Sequence, residues 1–348
     1  MKVARGSLDR SLMIVVCLIV LAGSVFCQSN DDCMAVYNKF LDNRKGPEIA
    51  KLQTAVNAGH EYLSKCSMLE GGAQIRDYIS KSLPNVEANL DFENLKVAVD
   101  AKDVEKSFAF GKKVLARSPD NVDVMLALVR VGHYSTLGLS PSDKYNEDIL
   151  RYAKTALEKL QDGGVSTTYF KTASCSDGRI NAIGWMNYVI GDIMLYRLKD
   201  KKAALPYLYK STQTGCATLT KSNTYQLIAA SYYDDYQRLE TDRLAKAKAA
   251  GDKDTDETRA LFALEMAYVD RMMDASGRAY NHANSDANVD SAAKEDLLAK
   301  AKEYYAARHD NNSAGFDEWL KGLSSTPFPD PMSTVTPIVP SAPMPPKR

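Results

Sequence analysis

The stretch that decides the fold is VEKSFAFGKKVLARSPDN, residues 104–121. Its apolar residues recur at helical spacing, and the short turn Lys102-Asp103 precedes it. Proline at position 119 cannot continue a helix, so the segment 118–121 closes this one. Helix signals of this kind recur about every 15 to 20 residues, whereas strand signals are nearly absent. The sequence therefore predicts an all-α protein built from antiparallel helical hairpins.

Working outward from this stretch, the same signals predict a series of further helices. Toward the N-terminus they cover residues 31–43, 47–65, 74–81 and 87–101, with a break at Pro84. Toward the C-terminus they cover residues 122–136, 146–160, 181–198, 201–213, 222–248, 257–281, 291–308 and 316–323. The longest predicted internal loop spans residues 162–178, which hold three glycines and several serines and threonines.

The middle of the chain resembles the tetratricopeptide repeat, a helical hairpin that stacks on copies of itself. The best match has a small residue, an aromatic residue, an apolar pair and a terminal turn at Ser107, Phe110, Val114-Leu115 and Pro119-Asp120-Asn121. Weaker matches run through Ile190-Gly191, Met194, Ala203 and Tyr207, and through Tyr225, Ile228, Ala229 and Tyr232. The family's pattern is broken at Asn187, Lys210 and Gly215.

The resemblance spans residues 89–235 and implies an α-solenoid of stacked hairpins. A generic array of helical hairpins is the alternative. The domain organisation that follows is a segment 1–27, an N-terminal hairpin region 28–84, a repeat-like array 85–237, C-terminal helices 238–323 and a tail 324–348. The tail holds eight of the 13 prolines and is predicted to be disordered, either as a tether or as an end without a partner.

The N-terminus has the pattern of a secretory signal. Lys2, Arg5 and Arg10 precede an apolar run of about 15 residues, which is short of the roughly 20 that a membrane-crossing helix needs. Residues 1–27 are therefore predicted to be a cleaved signal peptide, with an uncleaved membrane anchor as the alternative. We expect an exported protein of the bacterial periplasm or cell envelope, which contacts the membrane only if this helix is retained.

Four cysteines remain after residue 27: Cys33, Cys66, Cys175 and Cys216. An oxidising compartment permits disulfides, and each sequential pair brackets a predicted hairpin. Cys33 with Cys66 and Cys175 with Cys216 are therefore the candidate disulfides. The unequal lengths of the hairpin arms leave free buried thiols as the alternative.

Tyrosine is unusually frequent, with 19 in the chain. On the inner helices of a repeat array, a tyrosine packs its ring and offers its hydroxyl to the concave face, which suits peptide binding. The candidate peptide-binding face comprises Tyr207, Tyr225, Tyr232, Tyr233 and Tyr236. The alternative is that these rings fill the core between helices.

Composition and motifs disfavour several other classes of protein. Basic and acidic residues both number 44, so no net charge attracts nucleic acid. None of the four histidines has a second histidine or a cysteine three or four residues on, and His133 is predicted to be a buried core residue. Asn284 to Asp290 resembles a calcium loop but has Val289 in place of the glycine, and Asp290 is predicted to cap a helix. No cofactor, metal or catalytic residue is predicted.

These observations favour a non-catalytic scaffold or adaptor that binds a protein or peptide along a helical face. Two alternatives remain. One is an accessory subunit of a membrane complex, anchored by the N-terminal helix. The other is an enzyme with a site near the 162–178 loop.

Overall fold

The fold was obtained as a computed structural model that describes residues 29–66, 72–137, 140–163, 167, 170–171, 175–214 and 218–337. Within these residues the protein is all-α and contains no β-strand. Residues 1–28, which include the predicted signal segment, lie outside the described residues. Among the helices that are described, none is long and apolar enough to span a bilayer.

Twelve α-helices occur in the described residues. They are α1 Asn30–Asn43, α2 Ile49–Lys65, α3 Ala73–Asp100, α4 Val104–Arg117, α5 Val122–Thr136, α6 Asn146–Gln161, α7 Gly178–Asp192, α8 Lys201–Gln213, α9 Thr218–Ala249, α10 Asp256–Asn284, α11 Ser291–Arg308 and α12 Phe316–Gly322. A π-helical turn, Ile193–Arg197, continues α7, and a 3-10 turn, Leu323–Ser325, follows α12. Helices α5, α8 and α11 begin and end at the predicted residues.

Helix starts are fixed by polar caps that the sequence supplies. Asn121 accepts a hydrogen bond from the Val124 amide at 3.1 Å, and Asp290 accepts one from the Ala293 amide at 2.8 Å. Such caps satisfy backbone donors that have no partner inside the helix. Asp290 thus caps α11 as predicted, and no metal-binding group of carboxylate, histidine or cysteine side chains occurs in the described part of the chain.

The predicted helix break at Pro84 is wrong. Helix α3 runs through Pro84 without interruption. A proline inside a helix costs about 3 kcal/mol, because it removes one hydrogen bond and crowds the preceding turn. The buried side chains of Ile79, Leu83, Val86 and Leu90 offset this cost by packing along one face. The predicted boundary between residues 84 and 85 consequently falls inside a helix.

Residue contacts divide the chain into two compact units. Unit 1 comprises the described residues up to Ala98, together with Lys112–Arg117. Unit 2 comprises Val99–Gly111 and the described residues from Ser118 onward. The predicted division at residues 237 and 238 falls within α9.

Unit 1 is built around the hairpin of α1 and α2, which pack on each other. Its core includes the fully buried side chains of Phe40, Leu52 and Ile79. A disulfide joins Cys33 and Cys66, whose Cα atoms lie 5.7 Å apart. The disulfide therefore ties the start of α1 to the end of α2.

In unit 2 each helix packs mainly against its neighbours along the chain, which is the contact pattern of a helical-hairpin array. Helix α7 contacts α6 and α8, and α9 contacts α8 and α10. Gly191 permits the close approach of α7 and α8, since a Cβ atom there would lie 2.5 Å from Cδ2 of Leu208. Gly191 is one of the residues that carry the weaker matches to the tetratricopeptide repeat.

The first part of the proline-rich tail is ordered, unlike the prediction. Phe328 is buried, its ring centroid lies 4.9 Å from that of Tyr225, and the guanidinium of Arg278 lies 5.5 Å from it. Arg278 also donates a hydrogen bond to the Thr326 carbonyl at 2.8 Å. Prolines exclude a helix here, and the buried Phe328 ring together with the Arg278 hydrogen bond holds this extended segment on the helices. Residues 338–348 lie outside the described residues.

Candidate functional site

One face of α9 is open to solvent along much of its length. Its residues are spaced three and four apart and therefore share one side of the helix. At a rise of 1.5 Å per residue, the stripe from position 223 to position 234 is about 16 Å long. It consists of Asn223, Gln226, Leu227, Ala230, Tyr233 and Asp234.

The end of α7 lies beside this stripe. There the helix widens into the π-helical turn, which ends at Arg197, and Lys199 has a left-handed φ of 56°. This geometry exposes two large side chains, Tyr196 at 44% and Leu198 at 53%. Most apolar side chains of this size are buried elsewhere in the protein. Short π-helical segments inside α-helices occur frequently at functional sites.

Two adjoining cavities separate these elements. The first has a volume of about 510 Å³ and lies between the end of α5, α7 and α9. The second, of about 450 Å³, lies between the π-helical turn, α9 and α11. Tyr196 and Lys199 line both cavities. The two cavities thus adjoin at these two residues, and we call them together the tyrosine groove.

Three tyrosines of the groove, Tyr188, Tyr196 and Tyr304, have a raised pKa. Burial and the nearby Asp192 carboxylate raise the pKa of Tyr188 and of Tyr196. Burial also raises the pKa of Tyr304 at the far end of the groove. These residues therefore offer neutral O–H donors together with apolar ring surface, the combination that suits a polypeptide ligand.

Two lysines lie against the groove's aromatic rings. The Lys199 ammonium lies 5.9 Å from the centroid of the Tyr196 ring. The Lys300 ammonium lies 5.0 Å from the Tyr304 ring and 6.0 Å from the Tyr233 ring, and it donates a hydrogen bond to Glu303 at 3.1 Å. Cation–π contacts of this length are favourable and hold the long side chains along the walls.

The first cavity contains a carboxylate that is nearly buried. Asp192 is 8% exposed, and its Oδ2 atom lies 2.8 Å from Nε2 of His133, which is 3% exposed. The rings of Trp185 and Tyr188 pack edge-on against the imidazole. His133 is therefore a buried, hydrogen-bonded core residue as predicted, and Asp192 connects it to the cavity.

The five tyrosines of the predicted peptide-binding face do not share one surface. Tyr225 and Tyr232 are 5% and 2% exposed, so their rings belong to the core and cannot contact a ligand. Tyr207 and Tyr236 are half-buried, and the Tyr236 ring stacks beside that of Tyr233. Of the five, only Tyr233 lines the tyrosine groove.

Of the two candidate disulfides, the described residues include both cysteines of one and a single cysteine of the other. Cys33 and Cys66 form the disulfide described above, so the free-thiol alternative does not hold for them. Cys175 is also disulfide-bonded, and Cys216 lies outside the described residues. Much of the 162–178 loop likewise lies outside them, and none of its described residues lines the tyrosine groove.

Sequence reasoning missed most of the groove. It did not identify Asp192, Tyr196, Lys199 or Lys300 as binding residues. One signal was present in α9, where polar and small residues recur every three or four positions between the buried ones. The other walls come from residues distant in the sequence, which no local pattern brings together.

No protein-family model, curated protein or solved structure matches this chain. The resemblance to the tetratricopeptide repeat therefore stays a prediction from the residues that carry it.

Proposed function

We propose that this protein is a non-catalytic adaptor that binds an extended segment of another protein in the tyrosine groove. The observation that carries the proposal is that the two adjoining cavities both lie along the outward stripe of α9. A stripe of about 16 Å accommodates roughly five residues of extended chain at about 3.3 Å per residue.

The chemistry of the groove supports a polypeptide occupant over a small molecule. Its walls combine tyrosine rings, which bury apolar side chains, with amides of Asn223 and Gln226 on α9, which can pair with backbone N–H and C=O groups. Tyrosine is among the residues that contribute most at protein interfaces. An adaptor of this kind also agrees with the predicted export to the periplasm or cell envelope, where disulfides are stable.

The test is a selection of linear heptapeptides, displayed on phage, against the intact protein. Synthetic copies of the selected peptides are then titrated against variants by fluorescence anisotropy. Tyr196→Ala and Tyr233→Ala should each weaken binding roughly tenfold or more, because interface tyrosines commonly act as anchors.

The matched control is Tyr134→Ala. Tyr134 is 44% exposed, the same fraction as Tyr196, but it lies on α5 outside the groove. This variant should bind the selected peptides as the wild type does. The proposal is wrong if no linear peptide is selected above background, or if Tyr196→Ala and Tyr233→Ala bind as well as Tyr134→Ala does.

A further inference from the structure

Residues 326–333, which we call the tail segment, lie along helices of unit 2 without being helical or in a strand. Phe328 and Pro331 are its buried side chains, and the residues around them are exposed or half-buried. A linear peptide bound to a protein has the same pattern, since a few side chains enter pockets and the others face solvent. The tail segment is therefore seated as a peptide ligand would be.

Three helices of unit 2 surround the Phe328 ring. Its centroid lies 4.9 Å from that of Tyr225 on α9 and 6.3 Å from that of Tyr209 on α8. The guanidinium of Arg278 on α10 lies 5.5 Å from the same ring. The Tyr225 ring meets it edge-on, which is a favoured arrangement of aromatic pairs. Together these side chains form a place for one phenylalanine ring.

Two arginines of α10 hold the chain on either side of that ring. Arg278 donates hydrogen bonds to the carbonyl and the hydroxyl of Thr326, at 2.8 Å and 3.0 Å. Arg271 donates to the Ser333 hydroxyl at 2.8 Å and lies 3.5 Å from the Asp330 carbonyl. The arginines lie two helical turns apart and so share one face of α10. Because both contact backbone carbonyls, they suit an extended segment of any sequence.

We propose that this place, formed by Tyr209, Tyr225, Arg271 and Arg278, is a second peptide-docking site, which we call the phenylalanine site. Its ligand is an extended segment with a phenylalanine between prolines, and the tail segment is its resident, exchangeable occupant. A segment of another protein with the same chemistry competes with the tail segment for the site.

The tail segment is held by few contacts compared with the helices beneath it. One aromatic ring, one proline and the arginine hydrogen bonds oppose the conformational entropy that an extended chain loses on docking. A segment with so few buried apolar contacts opens at a lower free energy than the core. The site therefore empties and refills while the helices stay folded.

Prolines on both sides of the phenylalanine are part of the ligand class. Positions 327, 329 and 331 are prolines, which restrict the chain to extended conformations before it docks. This restriction lowers the entropy lost on binding, both for the tail segment and for a competitor of the same composition.

The phenylalanine site is separate from the tyrosine groove. Neither of its tyrosines and neither of its arginines lines the two cavities of the groove. Tyr225 is 5% exposed with the tail segment in place, so its ring becomes accessible to another ligand only when Phe328 leaves. The two sites therefore lie on different faces of α9 and are tested independently.

The contacts favour a different protein over a second copy of this chain as the competitor. If two copies exchanged their tail segments, each site would keep the contacts that it already has. Nothing would then offset the translational freedom that the two copies lose. A segment of another protein gains affinity from contacts beyond the site, which an exchanged copy lacks.

The test uses the full chain and a fluorescein-labelled synthetic peptide with the sequence of residues 324–336. Phe328→Ala removes the anchor of the tail segment and leaves the side chains of the site unchanged. Fluorescence anisotropy should show binding of the peptide to Phe328→Ala. The wild type should bind it roughly tenfold or more weakly, because its own tail segment competes at a high effective concentration.

Met332→Ala is the matched control for this variant. Met332 belongs to the same tail segment but is 44% exposed. This variant should therefore bind the peptide as weakly as the wild type does. A peptide with alanine at the phenylalanine position should not bind Phe328→Ala measurably. The inference fails if folded Phe328→Ala binds the peptide no better than Met332→Ala does, or if the alanine peptide binds equally well.

A second measurement on the wild type does not depend on the fold of Phe328→Ala. Protein labelled with para-fluorophenylalanine gives a fluorine NMR resonance for Phe328, which Phe328→Tyr identifies by its loss. Excess unlabelled peptide should move this resonance toward the position of a solvent-exposed phenylalanine, whereas the alanine peptide should leave it in place. A resonance that does not respond to millimolar peptide would overturn the exchange.

Analytical ultracentrifugation distinguishes the source of the competitor. The wild type should keep one mass as its concentration rises. A dimer that forms at high concentration and is abolished by Phe328→Ala would assign the site to a second copy of the chain, against the proposal.

Discussion

Tyrosines on the two faces of α9 have different environments. Tyr232 is 2% exposed and faces α10, with its ring centroid 6.1 Å from that of Tyr268. Tyr233, the next residue, is 39% exposed and lines the tyrosine groove. A rotation of about 100° per residue separates their side chains. Residue type alone therefore does not identify a binding residue, whereas the face on which it lies does.

The largest effect is expected on the buried face. Tyr232→Ala should lower the free energy of unfolding by about 3 to 5 kcal/mol, because it leaves a large cavity in the core. Urea denaturation measures this loss. Tyr232→Phe is the control: the Tyr232 hydroxyl is buried and has no hydrogen-bond partner among the described residues, so its removal should be neutral or stabilising. A destabilisation by Tyr232→Phe of more than 1 kcal/mol, on the scale of a lost hydrogen bond, would contradict this account.

The contact between α10 and the buried face of α9 should also make the free energy of unfolding depend on pH, through His282 of α10. Its ring stacks on Tyr225 at 5.5 Å, and burial lowers the pKa of His282 to about 4. The unfolded chain therefore binds a proton at His282 more readily than the folded protein does. The contribution of the neutral His282 to the free energy of unfolding is fully present above pH 6.5 and is lost as the pH falls toward 4. The expected loss is roughly 2 to 3 kcal/mol.

His282→Phe isolates this contribution, because it keeps the stacked ring and removes the proton site. Burial raises the pKa of Glu265, Asp270 and Asp274, which makes these groups favour the folded state at low pH and oppose the histidine. The quantity to measure is therefore the difference between wild type and variant across pH 4 to 7. A difference that does not change with pH would rule out the role of His282.

The contact between α7 and α8 should show an intermediate effect. Gly191→Ala places a Cβ atom against Leu208 and should cost about 1 to 3 kcal/mol by overpacking. Gly322→Ala is the matched control, since nothing lies within 4 Å of a Cβ atom at Gly322. Thermal unfolding of both variants measures the contrast, and equal melting temperatures would contradict the close approach of the two helices.

The smallest change in stability is expected on the open face. Tyr233→Ala should alter the free energy of unfolding by less than about 1 kcal/mol, because the side chain is substantially exposed. Its effect should appear in peptide binding instead. A loss of stability comparable to that of Tyr232→Ala would remove the distinction between the two faces of α9.

The sequence by itself determined the helices, and it did so where local chemistry is decisive. Caps such as Asn121 and Asp290 and the closing turn at residues 118–121 act within a few residues of the helix that they bound. For this reason α5, α8 and α11 begin and end where the sequence predicts. The prediction failed at Pro84, because burial of the surrounding side chains in the core outweighed the tendency of proline to end a helix.

Only the tertiary structure decided which residues form the groove. The tyrosine-rich composition predicted a binding face, but packing against α10 buried Tyr225 and Tyr232 and left Tyr233 exposed. Packing also brought Asp192 and Tyr196, from the end of α7 and its π-helical turn, to the same side as Lys300 of α11. Helical periodicity specifies which residues share a face, whereas the face that remains uncovered depends on how distant helices pack.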